Sequence, residues 1–183
     1  PFIRQRPFNK VANPTDVPRD IFVSAYNTAP LSVNVSKVIK NNKDQFQAGL
    51  TALSKLTNGS VYLTSQKPME FDNVTNVTIE GPHPAGNVGI QIHHIKPINP
   101  GEVIWTVNAQ HVITIGKLFQ NGQYDPGCVV SIGGSGSSNP QTVRALTGSS
   151  IGSLLKDQLL NGSQRIISGD VLTGKRVSSD DYL

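Results

Sequence analysis

The chain has 183 residues, of which 37 % are hydrophobic and 15 % charged, too apolar and too weakly charged for a disordered polymer. Sixteen Lys and Arg against twelve Asp and Glu give a formal charge of +4. The only close basic group is Arg4, Arg6 and Lys10, without the cationic stripe of a nucleic-acid binder. Such a surface suits anionic headgroups or an acidic partner, and equally an ordinary solvated exterior. The single cysteine, Cys128, excludes an internal disulfide and fits a reducing compartment. No apolar run approaches the roughly 20 residues of a membrane-spanning helix.

In chain order, residues 1–19 carry four prolines and read as an extended loop. Asp20-Ile-Phe-Val-Ser-Ala25 has the signature of a buried strand. Phe46, Leu50, Leu53 and Leu56 follow at helical spacing, with Gly49 as a tolerated weak point and Asn58-Gly59 as a stop. Val61-Tyr-Leu-Thr64 reads as the next buried strand, so the first third carries a strand–helix–strand unit. Val74 to Glu80 alternates apolar and polar until Gly81-Pro82 breaks it. Pro84 to Ile95 fits helix or strand. Asn108 caps a predicted helix carrying Val112, Ile113, Ile115, Leu118 and Phe119, closed by Asn121-Gly122. The character changes near Tyr124–Pro126, where a domain boundary is expected. Beyond it come strands over Cys128–Ile132 and Thr142–Leu146, joined by the flexible Gly133–Pro140 loop. A helix capped by Ser149 or Ser150 carries Ile151, Leu154, Leu155 and Leu159. A hairpin-like pair, Arg165–Gly169 and Asp170–Gly174, completes a small α+β unit. The chain starts at Pro1 and stops after a predicted strand, so both ends are expected to be boundaries inside a longer protein.

Little in the bare residues points to an autonomous enzyme. Gly133-Gly-Ser-Gly136 lacks the Lys of a phosphate loop, and Asn139 and Ser137 stand where a dinucleotide fingerprint or a nucleophile elbow needs Gly. His83, His93, His94 and His111 have no zinc-ligand spacing. They read as surface or hydrogen-bonded core histidines, or as ligand or proton contacts. No paired carboxylates suit general acid–base work, and Glu80 and Glu102 read as turn residues. Arg4, Arg6, Phe8 and Lys10 put cations and an aromatic ring on one proline-set loop. That loop is either solvated or suited to an anionic ligand or a flat ring.

Specific motifs go further. Pro7-Phe-Asn-Lys10, Gly81-Pro-His-Pro-Ala-Gly-Asn-Val-Gly-Ile-Gln-Ile-His-His-Ile95 and Pro97-Ile-Asn-Pro-Gly-Glu-Val-Ile-Trp-Thr-Val-Asn108 resemble the A subunits of bacterial sodium-translocating NADH:quinone oxidoreductases. So do Ile113–Phe119, Val143-Arg144, Leu146–Ile151 and Arg165-Ile-Ile-Ser-Gly-Asp-Val-Leu-Thr-Gly174, and the likeness covers essentially the whole chain. The resemblance implies a relative of the flavin- and NADH-binding subunit of respiratory complex I. That means a Rossmann-like α/β domain over 1–125, incomplete at its N-terminus, then a small α+β β-grasp domain of soluble-ligand-binding type over 126–183, incomplete at its C-terminus. In the flavin-binding relatives a glycine-rich loop meets FMN, and the stretch that corresponds to it here, Phe2–Lys10, has no glycine. Close backbone approach to a phosphate needs glycines or a helix N-terminus. The expectation is therefore a chain that binds no flavin and, lacking four cysteines, no iron–sulfur cluster.

The resemblance also implies a peripheral subunit on the cytoplasmic face of the bacterial inner membrane, with membrane and redox subunits as partners. NADH and ubiquinone would be substrates of the complex, and the sodium path would lie in other subunits. Quinone recognition needs an apolar slot with donors for the carbonyl oxygens. The residues offering such groups are Arg4, Arg6, Phe8, Asn9, Lys10, His83, Asn87, Gln91, His93, His94 and Trp105, with no catalytic residue and no metal. A structural scaffold for partner subunits and an independent flavin-dependent NADH dehydrogenase are the competing readings.

Overall fold

The computed structural model describes residues 2–183. Their contacts divide into two compact units. One holds the chain to Thr28 and Asn34–Asp125, the other Ala29–Val33 and Pro126–Leu183. The whole is a mixed α/β arrangement of parallel and antiparallel strands.

The first unit is built on a six-stranded sheet of order β2-β1-β6-β3-β4-β5. These strands are β1 (Ile3–Arg6), β2 (Lys10–Val11), β3 (Asp20–Ser24), β4 (Val61–Ser65), β5 (Thr75–Thr78) and β6 (Ile104–Asn108). β3, β4, β5 and β6 run parallel, and β1 lies antiparallel between β6 and β2. Four of the five residues of β3 are buried, as expected of a central parallel strand covered on both faces.

Strand alternation separates those faces. Phe22 and Ile104 pack with Ile92 of α3 (Val88–Ile95), ringed by Tyr62, Val88, Ile95 and Ile98. The Phe22 and Tyr62 rings stack at 4.7 Å. Ile21 and Val23 point the other way, toward α2 (Lys43–Ser54) and α4 (Ala109–Asn121), which lie against each other. The order of the parallel strands reverses between β3 and β6, so their carboxyl ends form a topological switch point.

The crossing of α2 and α4 depends on two glycines. A methyl group at Gly49 would strike the Val112 carbonyl, and one at Gly116 the Gln45 carbonyl. Gly49 is thus a packing requirement, and the expectation of a merely tolerated weak point is corrected. Asn108 caps α4 by accepting from the Gln110 N–H, and Gly122 ends it at φ 70°.

Other sequence expectations are also revised. Residues 1–19 are not one extended loop, since Ile3–Arg6 and Lys10–Val11 form an antiparallel hairpin. Its residues are mostly polar, so pairing to β6 rather than apolar periodicity makes it a strand. β6 itself escaped the sequence reading, because its Ile-Trp-Thr-Val run lies between proline punctuation and a strong cap. A short α1 (Val35–Lys40), capped by Asn34, was likewise not expected. Residues 88–95 resolve as helix, and α2 stops at Ser54, before Leu56.

The second unit contains the antiparallel pairs β7 (Gly127–Ile132) with β8 (Gln141–Leu146) and β9 (Ile166–Ser168) with β10 (Lys175–Val177). Between them lies α5 (Ile151–Leu154), whose cap Ser150 accepts from the Ser153 N–H. It is shorter than its apolar spacing predicts, ending before Leu155 and Leu159. Asp170–Gly174 is the turn of the second hairpin and not its second strand.

We predict that Gly116→Ala lowers stability by about 1–3 kcal/mol, the usual scale of overpacking a core. A urea-unfolding series would show a fall in midpoint at unchanged slope. An unshifted midpoint would mean that α2 and α4 do not cross as closely as described.

Candidate functional site

The side chains singled out from the sequence lie mainly around α3 and the sheet face it covers. At the start of that helix the segment 81–87 is fastened to the end of β3. Thr28 Oγ1 lies 3.1 Å from His83 Nδ1 and accepts from the Gly86 N–H at 2.9 Å. The Tyr26 hydroxyl donates to the Gly81 carbonyl at 3.2 Å. Inside the helix, Gln91 is buried and fully engaged. Its Oε1 accepts from the Thr64 hydroxyl at 2.7 Å, and its Nε2 donates to the Ala85 carbonyl at 3.1 Å. A buried amide left without such partners would cost stability, so this pairing fixes the angle of α3 on β4.

The hairpin β1–β2 meets α3 through Arg6, whose guanidinium occupies the space beside Gly89. Arg4 and Arg6 lie on the α3 side of the sheet by register, opposite Thr106 and Ile104. Phe8 stands in the hairpin turn with 83 % of its surface exposed, beside Asn9 in the left-handed region at φ 52°. Lys10 pairs with Gln5 and therefore belongs to the opposite face. Trp105, in register with Gln5, belongs there too, and both are buried. Asn87 precedes α3 as its N-cap residue without a side-chain cap bond. His93 and His94 are exposed, their rings 5.4 Å apart. The structure thus gathers Arg6, His83, Asn87 and Gln91 near the first turns of α3. Trp105 and Lys10 lie on the other side of the sheet, and His93 and His94 lie farther along the helix.

The other end of α3 is anchored by charge, which the sequence reading missed. Asp20, fully buried at the start of β3, receives Arg19 Nε and Lys96 Nζ, each at 2.7 Å, and the Ser60 N–H at 3.1 Å. Arg19 also pairs with Glu102 and donates to the carbonyls of Lys96 and Pro97. Burial by itself disfavours the Asp20 carboxylate. Lys96, the Ser60 amide and Arg19 outweigh it and hold the carboxyl below its ordinary value. Glu102, read from sequence as a turn residue, does accept from the Asn99 N–H at 2.7 Å and bridges that turn to Arg19. Near the start of α4, His111 packs on Phe2 at 4.6 Å, and burial pushes its imidazole below the ordinary histidine range.

Among the described residues no group of three His, Cys, Asp or Glu gathers to hold a metal ion, and no helix is long and apolar enough to cross a membrane. What the α3 face does offer is a guanidinium, amide and imidazole groups, and an exposed aromatic ring on an adjoining hairpin.

Comparison with known proteins decides the family. Residues 1–124 match the family described as NqrA second alpha/beta domain, and residues 129–179 match the NQRA C-terminal domain. The chain belongs to the NqrA family. Similar relatives include the Na(+)-translocating NADH-quinone reductase subunits A of Vibrio atlanticus, Tolumonas auensis and Marinomonas sp., 42 %, 40 % and 39 % identical over 94–99 % of this chain. The chain spans 40–42 % of the length of these relatives. A solved NAD+-reducing [NiFe]-hydrogenase structure is similar in fold, with a TM-score of 0.60 and 12 % identity, over 84 % of this chain and 35 % of that one.

The Asp20 cluster generates a signed prediction. Its carboxyl is depressed in the folded state, so its stabilisation is complete above the ordinary carboxylate value and is lost as pH falls through the folded value. Asp20→Asn is expected to cost about 1–3 kcal/mol near neutral pH, because it removes the charge-assisted hydrogen bonds that the partly exposed Arg19 and Lys96 make to a buried carboxylate. The gap to the unmodified chain should narrow in urea unfolding as pH falls below the ordinary carboxylate value and through the lower folded one. A gap independent of pH would show that charge is not what matters there.

Proposed function

We propose that this NqrA-family chain is part of a peripheral subunit on the cytoplasmic face of the bacterial inner membrane, within a sodium-translocating NADH:quinone reductase. It assists quinone binding and assembly with the membrane and redox subunits, and holds no flavin of its own. NADH and ubiquinone are then substrates of the whole complex. The family membership and the printed names of the relatives support the complex. In the same reading, residues 1–125 are a Rossmann-like domain, supported by the strand order and its switch point, and 126–183 a β-grasp domain.

The observation that carries the quinone role is the meeting of the β1–β2 hairpin with α3, where Arg6 lies against Gly89 and Phe8 stands exposed two residues on, in the hairpin turn. An exposed aromatic ring can stack on a flat headgroup, while Arg, Asn and His groups supply donors to its carbonyl oxygens. The absence of glycine in Phe2–Lys10, and the engagement of that stretch as a sheet-edge hairpin, support a site without flavin. A second reading, a scaffold for partner subunits, is favoured by one feature. His83 and Gln91 are already engaged with Thr28, Thr64 and Ala85.

Titration with a water-soluble ubiquinone analogue separates the two. We expect saturable binding, weakened about two- to tenfold by Phe8→Ala, as for loss of one aromatic contact, and left unchanged by Lys10→Ala, which alters the opposite face of the sheet. Because Phe8 is 83 % exposed, its removal should leave the unfolding midpoint unchanged. No saturable binding would favour the scaffold. We further expect the purified protein to show no flavin absorbance band, and a stoichiometric one would overturn the flavin-free reading.

A further inference from the structure

The β9–β10 hairpin of the second unit ends in an apolar turn. Val171 and Leu172 stand at its tip, 48 % and 56 % exposed. Several of the turn's donors are already taken. Asp170 Oδ1 accepts from the Leu172 and Thr173 N–H groups, each at 2.8 Å. Asp170 Oδ2 accepts from the Thr173 hydroxyl at 2.6 Å, and the Asp170 carbonyl from the Gly174 N–H at 2.8 Å. Those bonds also hold the Asp170 carboxyl below its ordinary value. Next to this turn stand Lys175, paired with Ser168, and Arg176, paired with Ile167, both exposed. Asp170 is the single acidic residue between positions 165 and 177.

We propose that this turn is a shallow contact with an anionic lipid surface, Val171 and Leu172 entering the headgroup boundary while Lys175 and Arg176 meet the phosphates. Two features select lipid over an acidic protein. First, the Leu172, Thr173 and Gly174 N–H groups and the Thr173 hydroxyl are satisfied within the turn, which lowers the cost of bringing that backbone to an apolar boundary. Second, adjacent aliphatic side chains on a narrow tip, with Lys175 and Arg176 in the two strand pairs behind it, have the charge and polarity profile of interfacial membrane binders. An acidic protein surface would be served by the cations alone and would leave the aliphatic pair without a role. The proposal does not depend on the quinone reading, which concerns the first unit.

The test is co-sedimentation of the whole chain with quinone-free vesicles, either zwitterionic phosphatidylcholine alone or with about 30 % phosphatidylglycerol. Binding is expected only to the anionic vesicles, falling steeply as salt rises from about 0.05 to 0.5 M. Lys175→Gln with Arg176→Gln should weaken it about fivefold per cation removed. Val171→Ser with Leu172→Ser should abolish it without moving the unfolding midpoint, because both side chains are largely exposed. Equal binding to both vesicle types, no binding to either, or binding that survives the Val171 and Leu172 substitutions would overturn the proposal. So would capture of a partner subunit that these substitutions abolish, in the absence of vesicle binding. Because the vesicles hold no quinone, this result is separate from that of the quinone titration.

Discussion

A carboxylate with no access to water must be surrounded by donors, and that demand organises the first unit. Asp20 stands at the start of the central strand, fully buried, and collects Arg19, Lys96 and the Ser60 amide. Each partner belongs to a different part of the chain. Arg19 leads into β3 and also reaches Glu102 before β6. Ser60 leads into β4, and Lys96 ends α3. One buried charge therefore ties the entrances of three adjacent parallel strands to the end of the helix above them. Removing a partner strands the remaining charges, and this makes the arrangement cooperative.

The opposite end of α3 is set by neutral hydrogen bonds. Gln91 links Thr64 to the Ala85 carbonyl, and Thr28 gathers His83 and the Gly86 amide. Held at both ends, α3 keeps its Phe22, Ile104 and Ile92 contacts in register and presents Gly89 to the Arg6 guanidinium. The candidate site follows from the scaffold in this way, since the groups that position α3 also bring the hairpin against it. On the other face, the two glycines of the α2–α4 crossing let the helix backbones approach closely enough to cover Ile21 and Val23.

Much of this was legible in the residues. Local signals with a direct physical cause succeeded: the apolar run of β3, the helical spacing of Phe46, Leu50 and Leu53, and the Asn108 and Gly122 caps of α4. The motifs Gly81–Ile95 and Pro97–Asn108 carried the family. Signals that depend on a partner failed. β1 is a strand because β6 offers it an edge, and nothing in Ile-Arg-Gln-Arg announces that. Gly49 resembles a helix defect until α4 is laid across it. Asp20 resembles an N-terminal turn residue until Lys96 arrives from 76 positions away, as their numbers give.

By itself the sequence determined family, element types at strong caps and apolar periods, and the chemical character of the candidate ligands, because each of these is written in neighbouring residues. Which of those ligands share a face was decided only by tertiary structure. Strand pairing and register set the side of the sheet to which each side chain belongs. They put Arg4 and Arg6 with α3 but Lys10 and Trp105 on the reverse, since successive residues of a pleated strand point to opposite faces.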